Sequence, residues 1–192
     1  LMPDGDLPPP EEHWKTVERH REQARAEGEI RRDTMAKTGV IGAGSWGLGL
    51  AILLNNNGHG VKVWSVFPEE IEELKVTREN KKCLPGVKIP ETIEFTADTE
   101  YAVTTADVIV MAVASPYTRS TSKIIAPFVK KGQYIVNVGK GIEEDSLLTL
   151  CQIIEEEIPN VTVAVLSGPS HAEEVGRGIP TTCVIGTHKK KD

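Results

Sequence analysis

An α/β fold is predicted, a Rossmann-type doubly wound, mostly parallel sheet with helices on both faces, and three observations predict it. From Lys37 onward, short β-branched runs alternate with stretches of helical period, which is the pattern of βαβ units. Most of those runs are apolar at nearly every position, as strands covered on both faces must be. The first run leads directly into Gly42-Ala43-Gly44-Ser45-Trp46-Gly47, a glycine pattern suited to the turn between a first strand and a first helix.

Taken in order, residues 1–34 stand apart as a charged, poorly packed N-terminal extension. Pro8, Pro9 and Pro10 precede a stretch, 11–30, with few apolar side chains, among them Trp14, Val17, Ala24 and Ile30. The prolines suit a helix start and Glu11 to Lys15 is a favourable i,i+4 pair, so a solvated helix is expected there. The stretch lacks the apolar segment of a secretory signal and holds too many acids for an organellar transit peptide, which leaves a leader or a stretch upstream of a start at Met35. Residues 35–192 form the second unit. Strands are expected at 38–41, 61–66, 108–113, 134–138, 161–166 and 182–185, and helices at 45–54, 69–80, 118–129 and 146–157, with a shorter one near 98–104. The chain then stops at His188-Lys189-Lys190-Lys191-Asp192 without the helices that complete such a sheet, so a domain truncated at its C-terminal end is expected.

Composition narrows the function. The 192 residues carry Lys+Arg 22 against Asp+Glu 28, a net charge of -6, so the electrostatic pull toward nucleic acid or anionic membrane is missing. The longest apolar run, 108–114, is far short of the roughly 18 residues of a membrane-spanning helix, and no membrane insertion is expected. Cys83, Cys151 and Cys183 are widely spaced and fit neither a disulfide framework nor a zinc site, which points to a reducing, cytoplasmic setting. The histidines His13, His20, His59 and His188 show no ligand spacing, so no metal is expected.

Between a strand and a helix, Gly42 permits the tight turn, Gly44 lets backbone approach a pyrophosphate, and Gly47 lets the helix pack close while its N–H groups face the anion. That points to dinucleotide binding, with NAD and NADP as the candidates, against the alternative of an ordinary structural turn. An acidic residue roughly 20 positions on, at the end of the second strand, normally binds the adenosine ribose. Here the strand ends Trp64-Ser65-Val66-Phe67-Pro68, with no carboxylate and no arginine, so the preference between the two cofactors stays open. Glu69, Glu70, Glu72 and Glu73 read as an acidic first helical turn stabilised by the macrodipole. Three further segments, Ser115-Pro116, Gly139-Lys140-Gly141 and Ser167-Gly168-Pro169-Ser170, follow strands and should converge on the ligand crevice. Lys140 between two glycines suits an anionic oxygen. His171 reads as a packing or surface residue, and Glu155-Glu156-Glu157 as a solvated helix end.

These segments together resemble the NAD(P)-dependent glycerol-3-phosphate dehydrogenase family. The resemblance is carried by Gly42-Ala43-Gly44-Ser45-Trp46-Gly47, then Asn80 with Leu84-Pro85-Gly86-Val87, then Lys140-Gly141-Ile142, then Leu166-Ser167-Gly168-Pro169-Ser170 with Ala172-Glu173-Glu174-Val175, and runs from about Met35 to the end. It implies that Gly42, Gly44, Ser45, Trp46, Gly47, Lys140 and Ala172 meet the cofactor and that Lys140, Gly168 and Ser170 meet a small phosphorylated substrate. It further implies interconversion of sn-glycerol 3-phosphate and dihydroxyacetone phosphate, feeding glycerophospholipid synthesis. The family's general-base lysine and dimerisation surfaces lie in a helical second domain, so no catalytic base is expected within this chain and the chain alone is expected to be inactive. Departures from the family pattern are Leu48-Gly49 where Thr-Ala is frequent, Ala114 where Pro is frequent, and Val66-Phe67 where a basic residue is common. Two other readings stay open: a non-catalytic NAD(P)-binding module, and a reductase of another phosphorylated or acidic hydroxy substrate.

Overall fold

A computed structural model describes residues 35–187; the expected extension 1–34 and the tail 188–192 lie outside the described residues. In chain order the elements are β1 (Lys37–Ile41), α1 (Ser45–Asn56), β2 (Gly60–Trp64), α2 (Pro68–Thr77), β3 (Glu94–Thr96), α3 (Thr99–Thr104), β4 (Val108–Met111), α4 (Thr118–Ile125), β5 (Tyr134–Asn137), α5 (Leu150–Glu157), β6 (Thr162–Ser167), α6 (Ala172–Gly176) and β7 (Val184–Thr187). The sheet runs β3-β2-β1-β4-β5-β6-β7. Every pairing is parallel except that of β7, which lies antiparallel to β6. Strand order reverses between β1 and β4, and a ligand crevice opens outside the carboxyl ends of the strands at such a switch point.

The core explains why the strands read as unbroken apolar runs. Successive strand residues point to opposite faces. Val40, Val63 and Val110 therefore join Leu50 of α1 and Ile71 and Leu74 of α2 on one side. Ile41, Trp64, Ile109 and Met111 meet Val103 of α3, Ile125 of α4 and Ile154 of α5 on the other. Ile41, Ile109 and Ile135 are completely buried, each contributing about 1.5–3 kcal/mol by burial.

Several boundaries differ from expectation for local reasons. β2 ends at Trp64, not 66, because the chain turns out at Ser65 and exposes Val66 and Phe67. α2 starts at Pro68 and stops at Arg78, whose φ of 51° is a left-handed cap. Pro127 converts the end of the expected 118–129 helix into a 3-10 turn, Ala126–Phe128. The expected 146–157 helix begins only at Leu150, where Thr149 and Gln152 form a capping box, since Leu147 at φ 57° cannot continue a helix. The last strand is shifted to Val184–Thr187. β3 and α6, three and five residues long, are too short to show a period, and both escaped the sequence reading.

Candidate functional site

The 42–47 turn separates its glycines by role. Gly42 has φ +119°, and a Cβ there would stand 2.7 Å from the Ala112 carbonyl oxygen at the end of β4. A Cβ on Gly47 would overlap the Gly42 carbonyl oxygen. Both glycines are thus required by the protein's own packing. Gly44 is different: its φ of -71° and ψ of 177° suit any residue, and a Cβ there would meet nothing within 4 Å. What its missing side chain spares is open space, the room a pyrophosphate needs beside backbone. The residues present therefore fit a dinucleotide.

Around that space the backbone presents donors. The first α1 bond runs from Leu48 N–H to the Gly44 carbonyl, 2.9 Å, and no side chain caps the helix. The N–H groups of Ser45, Trp46 and Gly47 have no partner among the described residues. Free amides and the positive end of the dipole together make an anion site. Buried Asn80 steadies the turn: its amide donates to the Ala43 carbonyl at 3.3 Å, while its oxygen accepts from the Lys82 and Cys83 amides at 3.2 and 3.0 Å.

The crevice has two halves that meet over Gly44. The first, about 550 Å³, is walled by the start of α1 and by the chain just after β4, β5 and β6. Ser45, Trp46, Ser115, Lys140, Ser170 and Ala172 are all on its lining, so three separated strand ends converge. Lys140 is exposed, and no hydrogen bond or ion pair holds its ammonium among the described residues. His171 is exposed on the same lining. Gly42 borders the other half, whereas Gly47 is buried and Gly168 lies outside both linings. A Cβ on Gly168 would come within 2.6 Å of the Thr182 carbonyl oxygen, so packing against the approach to β7 already accounts for that glycine. The departures at Leu48 and Gly49 are packing changes: Leu48 is fully buried, and a Cβ on Gly49 would sit 3.1 Å from the Ala172 carbonyl oxygen.

The second half, about 510 Å³, is lined by Trp64, Ser65, Phe67, Glu70, Tyr117 and Ile124, among others. Phe67 and Tyr117 are 63% and 64% exposed, and with Val66 and Ile124 they form an apolar slot for a flat ring. Tyr117 and Ile124 were missed in the sequence, because nothing in their spacing distinguishes a helix face that lines a crevice from one that faces solvent.

A charge cluster braces the loop that carries Lys140. Arg119 on α4 grips Glu143 with two hydrogen bonds of 2.7 Å, from Nε and Nη2. It also bonds Glu157 and, at 3.1 Å, Glu156 of α5. The guanidinium, helped by the Ser146 hydroxyl, holds the Glu143 carboxyl down at about 2. At the acidic end of α5, Glu157 is thus bound and largely covered, while Glu155 and Glu156 stay exposed as a solvated helix end should. Among the described residues no group of His, Cys, Asp and Glu could hold a metal ion, and no helix is long and apolar enough to cross a membrane.

Residues 37–192 match a family profile described as the NAD-dependent glycerol-3-phosphate dehydrogenase N-terminus. Glycerol-3-phosphate dehydrogenase (NAD(P)+) of Agathobacter rectalis is 54% identical over 157 residues, covering 82% of this chain and 47% of that protein. The Fusobacterium nucleatum protein of the same description is 54% identical over 159 residues, with 82% and 48% covered. Among solved structures, glycerol-3-phosphate dehydrogenase of Coxiella burnetii superposes with a TM-score of 0.76 at 28% identity, over 81% of this chain and 47% of that one. The chain thus spans about half the length of the curated relatives it matches.

Proposed function

The chain belongs to the NAD-dependent glycerol-3-phosphate dehydrogenase family through its N-terminal domain, and from that premise we propose that the crevice over Gly44 binds NAD or NADP for interconversion of sn-glycerol 3-phosphate and dihydroxyacetone phosphate. The observation that carries the reading is the emptiness beside Gly44 set against unpaired helix amides, in a turn whose other two glycines are explained by packing. The amides of Ser45, Trp46 and Gly47 hold pyrophosphate oxygens. A nicotinamide held there would supply the hydride chemistry. Ser45, Trp46 and Ala172 line the half of the crevice into which the nicotinamide end extends, and the apolar slot at Phe67 and Tyr117 takes the adenine. Lys140 and Ser170 meet the phosphorylated substrate in the first half, where the free ammonium neutralises an anionic oxygen. Gly168 supports Ser170 from behind, its carbonyl accepting the Ser170 amide at 2.9 Å.

The whole protein works in this reading as a cytoplasmic homodimer supplying glycerophospholipid synthesis, without nucleic acid or membrane insertion. Net charge -6 and three unpaired cysteines support that setting. Its general base belongs to the half of the relatives that this chain does not span. Calorimetric titration with NADH tests the site. Gly44→Val fills the open space, so binding is lost, while folding suffers only an N-cap penalty of at most about 1 kcal/mol. Equal NADH binding by both proteins would overturn the assignment. A second test concerns turnover. General acid–base help is worth roughly 10²–10⁴ in rate, so NADH oxidation by this chain with dihydroxyacetone phosphate should stay at background. Robust turnover abolished by Lys140→Ala would instead place the proton donor within these 192 residues.

A further inference from the structure

The second strand ends without the carboxylate that would read the adenosine ribose, and the structure supplies one from elsewhere. Glu70, in the first turn of α2, lines the adenosine half of the crevice. It is held there: the hydroxyl of Ser65, buried at the end of β2, donates to Glu70 Oε2. The same hydroxyl oxygen accepts the Phe67 amide at 3.3 Å, which commits its only proton to the carboxylate. Glu70 Oε1 has no partner among the described residues. Of the other α2 acids, Glu69 and Glu73 line a separate hollow of about 320 Å³ beside Lys81 and Lys82, which Glu70 also borders, and do not reach the crevice.

The cations are equally informative. No Lys or Arg is on the lining of this half among the described residues. Lys81 and Lys82 line the hollow of about 320 Å³ on the other side of Glu70 and not this half, and the basic side chains Lys62 and Arg78 are engaged elsewhere. Lys62 lies 3.9 Å from Glu94 and over the Tyr101 ring. Arg78 pairs with Glu91 at 3.1 Å, donates to the Ile93 carbonyl at 2.7 Å and lies over Phe95. We propose that Glu70, positioned by Ser65, is the residue that selects NAD over NADP, its free oxygen accepting from the ribose 2′-hydroxyl and its charge repelling a 2′-phosphate. The macrodipole that an acidic first turn satisfies is a second consequence of the same placement. This selection rests on the dinucleotide reading above.

The test is titration of the 192-residue chain with NADH and with NADPH, for the wild type, Glu70→Gln, Ser65→Ala and Gly44→Val. Hydrogen bonds to a charged acceptor carry roughly ten- to a hundredfold in affinity. The wild type should therefore bind NADH at least about tenfold more tightly than NADPH. Glu70→Gln should collapse that ratio toward one, and Ser65→Ala should lower it by loosening the carboxylate without removing it. Gly44→Val should abolish both titrations. Tight binding of both nucleotides with a ratio that Glu70→Gln leaves unchanged would overturn the selection by Glu70 and leave the dinucleotide site standing. An unchanged ratio in Ser65→Ala alone would overturn the positioning role of Ser65. Failure of the wild type to bind either nucleotide would overturn both readings.

Discussion

The 42–47 turn and the loop between β5 and α5 flank the same crevice, yet they are held in place by different physics. The turn is fixed by close backbone approach: Gly42 against the Ala112 carbonyl, Gly47 against Gly42, and buried Asn80 against the Ala43 carbonyl. Nothing in it titrates. The loop has little to bury, with Ile142 and Leu147 56% and 70% exposed. It is shaped by an isolated bridge from Ile142 to Thr149 and by the grip of Arg119 on Glu143. One wall of the site is therefore insensitive to solution conditions, and the wall bearing Lys140 is open to pH.

The largest effect should come from Gly47→Ala. Its methyl would overlap the Gly42 carbonyl and lie 3.2 Å from the Ala112 Cβ, so either α1 or the turn must move. Overpacking against backbone costs about 3 kcal/mol, which lowers the unfolding midpoint by roughly 6–12 °C in a domain of this size. Thermal unfolding followed by circular dichroism measures it. Gly44→Ala, with open space around its Cβ, should unfold within about 2 °C of the wild type by the same scale. Equal destabilisation by the two alanines would break the division of roles within the turn.

That division was only half legible in sequence. The order and type of the long elements could be read because buried parallel strands announce themselves, as in Val108 to Met111, and because the glycine pattern falls between a strand and a helix. The positions of strand ends put Lys140 and Ser170 toward the crevice, whereas Ser45, Trp46 and Ala172 are expected there only through the family resemblance. The short elements β3 and α6 gave no period to detect. Glu70 looked like any dipole-satisfying glutamate, since its contact with Ser65 depends on where the chain turns after Trp64. The bracing of Glu143 by Arg119 spans 24 residues of chain, and no local pattern reports which of many surface charges meet.

The loop wall, unlike the turn, should respond to pH. Glu143 normally titrates near 4.5, and the Arg119 guanidinium lowers it to about 2. A depressed carboxyl adds stability that is fully present above about pH 4.5 and is lost as pH falls through about 2. The loop should thus open in that acid window before the turn does. The protection of the Leu147 amide, whose N–H donates to the Glu143 carbonyl at 2.9 Å, should fall there when measured against the intrinsic exchange rate at each pH. Its exchange thus accelerates relative to that rate, while the Leu48 amide at the turn should keep its protection. Glu143→Gln should show the faster loop exchange already at neutral pH and lose the pH dependence. Parallel acceleration of Leu48 and Leu147 would show that the two walls open together.

The smallest effect, and the one that separates charge from geometry, concerns Arg119→Lys. Charge is conserved, but an ammonium cannot reproduce the paired bonds from Nε and Nη2 to one carboxylate. The wild-type cluster is partly shielded, with Arg119, Glu143 and Glu157 side chains 24%, 23% and 16% exposed. Raising salt from about 0.01 M to 1 M shortens the screening length from roughly 30 to 3 Å. A geometric brace should barely respond, shifting the unfolding midpoint by no more than about a degree, in keeping with the small worth of surface ion pairs. In Arg119→Lys the remaining attraction is between mobile point charges, so Leu147 exchange should be faster at low salt and faster again at high salt. If Arg119→Lys matched the wild type in exchange rate and in salt response, net charge alone would hold the loop. The paired hydrogen bonds would then contribute nothing to the placement of Lys140.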